Sequence, residues 1–229
     1  MAGTRALSRL ARALGRGVPT PRRNPFALGY LALLLGTTLF ARFADPGTVQ
    51  RLHQASSSDA HNLFVHPVRA LLFSGLWVAG PVWLPYFWAF LFTVAPLERR
   101  IGGLRAAGVL ATGHVGATLL SQAVVVAAVA AGRAPAADLD ALDIGVSYGV
   151  LTSLGALAGL LPPRWRAAVL AGAALFVGRQ ALADGDLVTA VGHPAALAAG
   201  VALWPFLRRR DRARPARPQG ALVLADARR

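Results

Sequence analysis

The stretch Gly145-Val-Ser-Tyr-Gly-Val-Leu-Thr-Ser-Leu-Gly-Ala-Leu-Ala-Gly159 decides how the rest of this chain is read. Its side chains are mostly apolar or small, and it runs into Leu160-Leu161-Pro162-Pro163, so it reads as a membrane-spanning helix with a stop at its end. Two small-xxx-small pairs, Gly145/Gly149 and Gly155/Gly159, predict a flat face on which a neighbouring helix packs closely. Ser147 falls on the same side, near the start of the span. A hydroxyl on such a face serves as interhelical glue or as a nucleophile, and the rest of the chain has to decide between the two.

The composition suits that setting. Of 229 residues 55% are hydrophobic, and the mean hydropathy is +0.50. Several near-continuous apolar stretches make this a polytopic membrane protein rather than a soluble domain. There is no cysteine, which excludes a disulfide framework, a thiolate metal site and a thiol nucleophile. The net charge is +14, and all 24 basic residues are Arg. Such a charge raises nucleic acid as a partner, but its distribution gives it a different cause.

Outward from the opening stretch, five further spans are predicted. The first runs from Phe26 to Phe43 and stops at Asp45-Pro46. A polar stretch to His66 follows, and its His53, His61 and His66 are spaced too loosely for a compact helical ligand pair, so no metal site is read there. Ala70–Val78 is apolar but too short to cross, as interfacial or re-entrant segments are. The second span is Val82–Leu97 and ends in the charged turn Glu98-Arg-Arg-Ile-Gly-Gly103. The third is Ala106–Ala131, with His114 and Ser121 inside it. The fourth is the opening stretch, the fifth Ala167–Ala183, and the sixth Leu187–Leu207 with His193-Pro194 inside it. Residues 1–25 form an Arg-rich tail, 26–207 the membrane domain, and 208–229 a basic, Pro-containing tail expected to be disordered.

Six spans put both termini on one side. The two tails and the turns at 98–105 and 164–166 hold nineteen of the Arg residues, while seven of the ten acids lie in the opposite segments. The positive-inside rule therefore makes both termini cytoplasmic, explains the charge as topology and argues against nucleic-acid binding. The N-terminal stretch does not fit a signal peptide, and is read as a flank held by anionic lipid. Its interleaved Arg, Ala, Leu and Ser also resemble a mitochondrial presequence, which gives the mitochondrial inner membrane as the alternative to a bacterial plasma membrane.

Polar groups inside spans are costly and need a reason. Ser147 lies four residues past Asp143, and His193 six past Leu187, which at ~1.5 Å per residue places them about 6 and 9 Å below the same surface. A hydroxyl and an imidazole on different helices at one depth are what a nucleophile–base dyad requires. Against this stand a serine bonded back to its own helix and an interhelical histidine hydrogen bond. The matched depth and the small residues Ala196 and Gly200, three and seven after His193, favour a shared site. His114, nearer mid-span, is read as packing glue.

These landmarks resemble the rhomboid intramembrane serine proteases, and more narrowly the actinobacterial rhomboid-like membrane proteins, over roughly Pro67 to Trp204. Gly145, Ser147 and Gly155 keep the rhomboid nucleophile spacing; His193, Ala196 and Gly200 keep that of the base; Glu98, Arg100 and Gly102 match the motif ending the second helix; and Arg69 takes the place of the first-loop Arg. The resemblance implies an all-α, six-transmembrane-helix bundle. It implies Ser147 as nucleophile, His193 as general base, and Gly145, Val146 and Tyr86 around the oxyanion, with no metal or organic cofactor and a transmembrane protein as substrate. Departures accompany it. Where active rhomboids carry His and Asn on the second helix stand Val82 and Tyr86; Tyr148 replaces the Gly after the nucleophile; and Leu151 replaces the aromatic that stacks on the catalytic His. The alternative is a rhomboid-like pseudoprotease that binds or retains membrane clients. A small transporter is disfavoured, because no repeat relates the two halves. Gly145-Val-Ser-Tyr-Gly149 also fits the nucleophile elbow of α/β-hydrolases, but no strand precedes it.

Overall fold

The computed structural model describes residues 19–80 and 82–212, and among these there are helices and no strand. The tail through residue 18 and everything beyond Arg212 lie outside the described residues. In chain order the helices are α1 (Pro25–Phe43), α2 (Pro46–Ser56), α3 (Ala60–Val65), α4 (Pro67–Ser74), α5 (Leu84–Phe92), α6 (Val94–Ile101) and α7 (Gly103–Ala130). After a short 3-10 turn at Ala136–Asp140 come α8 (Ser147–Gly159), α9 (Pro163–Asp184), α10 (Leu187–Ala202) and α11 (Trp204–Arg212).

The fold is all-helical and membrane-borne, but its helices are not six equal spans. Among the described residues, four are long and apolar enough to cross a bilayer: Pro25–Phe43, Gly103–Ala130, Pro163–Ala183 and Leu187–Arg209. The second expected span is broken at Thr93 into α5 and α6. Pro96 explains the break, since its ring removes the amide that would bond Phe92 one turn back and crowds that carbonyl. The fourth is only 13 residues, about 20 Å at the helical rise, and is shorter than the hydrocarbon layer. The boundary expected at Leu207 falls inside α11, which continues to Arg212.

The short α8 is the centre of the molecule. Of its 13 residues only Ser147 and Leu154 keep appreciable exposure, and it packs against α7 on one side and α10 on the other. Close approach is made possible by absent side chains. A Cβ on Gly155 would sit 2.5 Å from the Leu197 carbonyl oxygen of α10, and one on Gly200 would run into the backbone of α8 at Thr152. Thr152 in turn donates from its hydroxyl to the Ala196 carbonyl at 2.7 Å. A single flat glycine face is therefore not what forms. Gly149 abuts Leu110 of α7, Gly155 meets α10, Gly159 meets Trp204 of α11, and Gly145 precedes the helix altogether.

Charge separates the two ends. At the basic end, Glu98 is buried and accepts from the Phe26 and Ala27 amides, both at 2.9 Å, tying α6 to the start of α1. Asn24 completes the joint by donating to the Ala95 carbonyl at 2.7 Å. Gly102 turns the chain into α7 at φ +90°, where a side chain would be strained. The Arg100 guanidinium donates to the Leu160 carbonyl at the end of α8, and Arg208 to that of Gly159 at 3.0 Å. The acidic end carries Asp45, Asp59, Asp143 and Asp186. The polar stretch between Asp45 and His66 is helical there rather than an open loop, because Asp45 and Asp59 cap α2 and α3 by accepting from the Thr48 and Asn62 amides.

Candidate functional site

Residues 141–146 carry no helix, and the chain enters α8 through Gly145, whose φ of +138° strains any other residue. The Gly145 amide donates to the Ser74 carbonyl at 2.9 Å, pinning the loop to the end of α4. Val146 is fully buried and caps α8, and its carbonyl takes the first helical bond, from the Val150 amide at 3.1 Å. Ser147 is thus the first helical residue, not one several residues deep in a span as the depth count assumed. The amides of Ser147, Tyr148 and Gly149 have no carbonyl one turn back within the helix, so the helix presents its positive dipole end where the Ser147 hydroxyl lies.

His193 comes from α10, which starts where Asp186 accepts from the Val188 and Thr189 amides at 3.1 and 3.0 Å. Its Nε2 lies 3.1 Å from Ser147 Oγ. With the ring proton on Nδ1, Nε2 accepts from the serine hydroxyl, as a general base must. His193 is 8% exposed and Ser147 is half-buried, so the pair sits at a wall of the bundle rather than sealed within it.

Tyr148 shapes the surroundings of His193. Its ring meets that of His193 edge-on, with centroids 5.4 Å apart and planes at 78°, and its hydroxyl donates to the Val188 carbonyl at 3.1 Å. Gly192 has no side chain because the Tyr148 ring fills that space. The sequence marked Tyr148 as a departure and Leu151 as a lost aromatic contact. In the fold an aromatic lies against His193 after all, supplied from the position next to Ser147. Leu151 is instead buried in the apolar cluster with Tyr148 and Ala196.

The other residues singled out in the sequence are dispersed. Tyr86 packs against the apolar cluster that contains Val146, and Ala79 abuts Gly145; Val82 is exposed. Arg69 is exposed on α4. Glu98 and Arg100 hold helices together at the basic end and Gly102 turns the chain there, while Gly149, Gly155, Gly159, Ala196 and Gly200 lie in the contacts of α8 with its neighbours. His114 is buried, and its Nε2 lies 3.0 Å from Ser74 Oγ, close behind the Gly145 loop. His61 and His66 are exposed, while His53 packs edge-on against Trp77, burial holding its imidazole below the ordinary range.

Sequence reasoning missed Asp143. Its amide donates to Ser57 Oγ at 3.0 Å, its carbonyl accepts from the Ser58 amide at 2.8 Å, and its carboxyl accepts from Gln122 Nε2 at 3.1 Å and Ser58 Oγ at 3.2 Å. Burial pushes its pKa up to about 6; Gln122 and Ser58 oppose the rise, and Asp186 and Asp59 add to it. No local motif announces this, because its partners lie on two distant segments. The one available hint was the polar run Ser56-Ser57-Ser58 in an otherwise greasy chain.

A family model described as rhomboid-like protein matches residues 21–213. No curated protein and no solved structure matches the chain.

Proposed function

Because the chain belongs to the rhomboid-like protein family, we propose that it is an intramembrane serine protease that cuts a transmembrane protein near the outer-leaflet end of its span. The observation that carries this reading is the 3.1 Å approach of His193 Nε2 to Ser147 Oγ at the first turn of α8. Ser147 attacks the scissile carbonyl while His193 takes its proton. The oxyanion that develops faces the unpaired amides at the start of α8, the Ser147 amide among them, with the Gly145–Val146 backbone and Tyr86 supporting that loop. His193 returns the proton to the leaving amine, and the same imidazole then activates water to release the acyl product. The positive-inside distribution of Arg supports a site at the extracytoplasmic face of a bacterial plasma membrane, with both termini in the cytoplasm.

A second reading has its own support. Val82 and Tyr86 replace the His and Asn of active rhomboids on the second helix, and loss of one oxyanion donor costs about 10²–10³-fold in rate. On that reading the molecule holds membrane clients without cutting them.

Membranes from cells expressing the wild type and Ser147→Ala, compared by sequencing of protein N termini, separate the two. The protease reading predicts new N termini near the outer ends of transmembrane segments in the wild type alone. Identical termini, with the same membrane proteins co-purifying with both forms, would overturn it in favour of client binding.

A further inference from the structure

Three arginines from three helices meet where α8 ends. The last carbonyls of that helix have no amide one turn on to bond them. Gly159 accepts from Arg208 Nε of α11 at 3.0 Å, Leu160 from the Arg100 guanidinium of α6, and Leu161 from Arg166 Nη2 of α9 at 3.0 Å. The Trp204 ring is a platform for two of them. The guanidinium carbons of Arg166 and Arg208 lie 5.3 and 4.7 Å from its centroid, within cation–π range. Trp204 is itself fixed, since its Nε1 donates to the Gly155 carbonyl at 2.8 Å and its ring fills the space beside Gly159. The guanidinium groups are therefore gathered at one place instead of sweeping the surface.

Charge at this corner does not balance. A helix C-terminus carries about half a negative charge, against which Arg166 and Arg208 alone set two positive ones. Among the described residues, the partners of Arg166 and Arg208 are carbonyls and the indole, with no carboxylate. Arg208 Nη2 is buried and has no acceptor among them. Arg100, Arg166 and Arg208 are each half-buried as whole side chains, so the cluster borders the surface and not the core. Two exposed aromatics, Trp165 and Phe206, stand beside it in α9 and α11. Aromatic side chains at the ends of spans sit at the level of the lipid headgroups, and α9 is the least protein-covered of the four spans.

We propose that Arg100, Arg166 and Arg208 form a headgroup site for an anionic phospholipid in the leaflet at the basic end. Its phosphate takes N–H donors that the α8 carbonyls leave over, each guanidinium having five. A lipid fits better than a soluble anion because Trp165 and Phe206 put the cluster at the boundary between headgroups and acyl chains. A bound headgroup reinforces the ties of α6, α9 and α11 to α8, so it should stabilise the fold. None of this depends on Ser147 being reactive.

The test uses the full chain in nanodiscs of phosphatidylcholine, alone or mixed with phosphatidylglycerol, with the melting temperature followed by circular dichroism. Phosphatidylglycerol should raise the melting temperature of the wild type. Each variant is compared with its own value in phosphatidylcholine, so that a lost tie to α8 is not counted as lost lipid. Arg164→Gln is the control: Arg164 is exposed at the same end, and its loss removes the same charge, so this variant should keep the gain. Arg166→Gln and Arg208→Gln should lose most of it, and Arg208→Lys, which keeps the charge, should retain part. Where Arg208→Gln does not fold in phosphatidylcholine alone, Arg166→Gln against Arg164→Gln decides. Short-chain phosphatidylglycerol titrated into the detergent-solubilised chain should bind each Gln variant of the site about fivefold more weakly. No gain for the wild type overturns the proposal. So does a gain that Arg164→Gln loses as fully as Arg166→Gln does, since diffuse surface charge then accounts for it. Glycerol phosphate that reproduces the gain in discs of phosphatidylcholine alone also overturns it, in favour of a soluble anion.

Discussion

Tyr148 shows how a single residue reshapes a site. In sequence it is the wrong side chain after a nucleophile, and in space it is the aromatic wall of the imidazole. An edge-to-face pair contributes about 0.5–1.5 kcal/mol beyond its buried area. Its hydrogen bond to Val188 adds about 1 kcal/mol. Tyr148→Phe should therefore keep the His193 contact, lower the melting temperature slightly and leave fluorophosphonate labelling within about threefold of wild type. Tyr148→Leu should lose the ring and slow labelling by about tenfold or more, as a loosened base would. Circular dichroism melts and labelling rates together check both. The approach of Ser147 and His193 was legible in the sequence by an argument that was half sound. The imidazole does lie within a helix, where counting residues gives depth. The hydroxyl opens a helix after an extended loop, where counting at the helical rise has no meaning. Gly145, with its positive φ, is the residue that marks this change, and a glycine beside other glycines in a packing motif hides it.

At the scale of elements, the bundle is held differently at its basic end and along the seam between α8 and α10. At the basic end Glu98 satisfies two amides of the first turn of α1 that the helix itself cannot. Glu98→Ala leaves those donors buried without a partner and should cost about 1–3 kcal/mol, read as a lower melting temperature in detergent. Glu98→Gln, which still accepts, should recover part of it. Along the α8–α10 seam, Gly200→Val should be worse than most core changes, because the obstacle is the α8 backbone rather than a movable side chain. Overpacking of this kind costs about 1–3 kcal/mol or more, and the variant should unfold earlier or fail to accumulate. The breaks in the spans were readable in part. Pro96 stood in the sequence as a signal that the second span could not be continuous. The helices between Asp45 and His66 were announced by Asp45-Pro46 and by Asp59, capping signals that a polar composition made easy to take for a loop.

For the whole molecule, an all-helical membrane protein was legible from composition alone, since apolar stretches of this number and length have no other home. The count of full crossings was not. Hydropathy registers a 13-residue buried helix and a 28-residue spanning one alike, because both are apolar, and only packing decides that α8 is sheathed by neighbours instead of lipid. Orientation is a separate claim, resting on the Arg distribution. Single cysteines introduced at Phe64 near the acidic end and at Trp165 near the basic end should react with an impermeant maleimide from opposite sides of sealed vesicles, Phe64→Cys from the extracytoplasmic side. Reaction of both from one side would break this topology, and an exchange of sides would reverse it.

The central claim is that Ser147 and His193 act together, and the most direct measurement is adduct formation on the purified, lipid-reconstituted chain. Intact mass after treatment with a fluorophosphonate should show one adduct on the wild type, mapped by fragmentation to Ser147. Ser147→Ala should show none, and His193→Ala should react about 10²–10⁴-fold more slowly. No adduct on the wild type, or equal labelling of wild type and Ser147→Ala, would contradict the account.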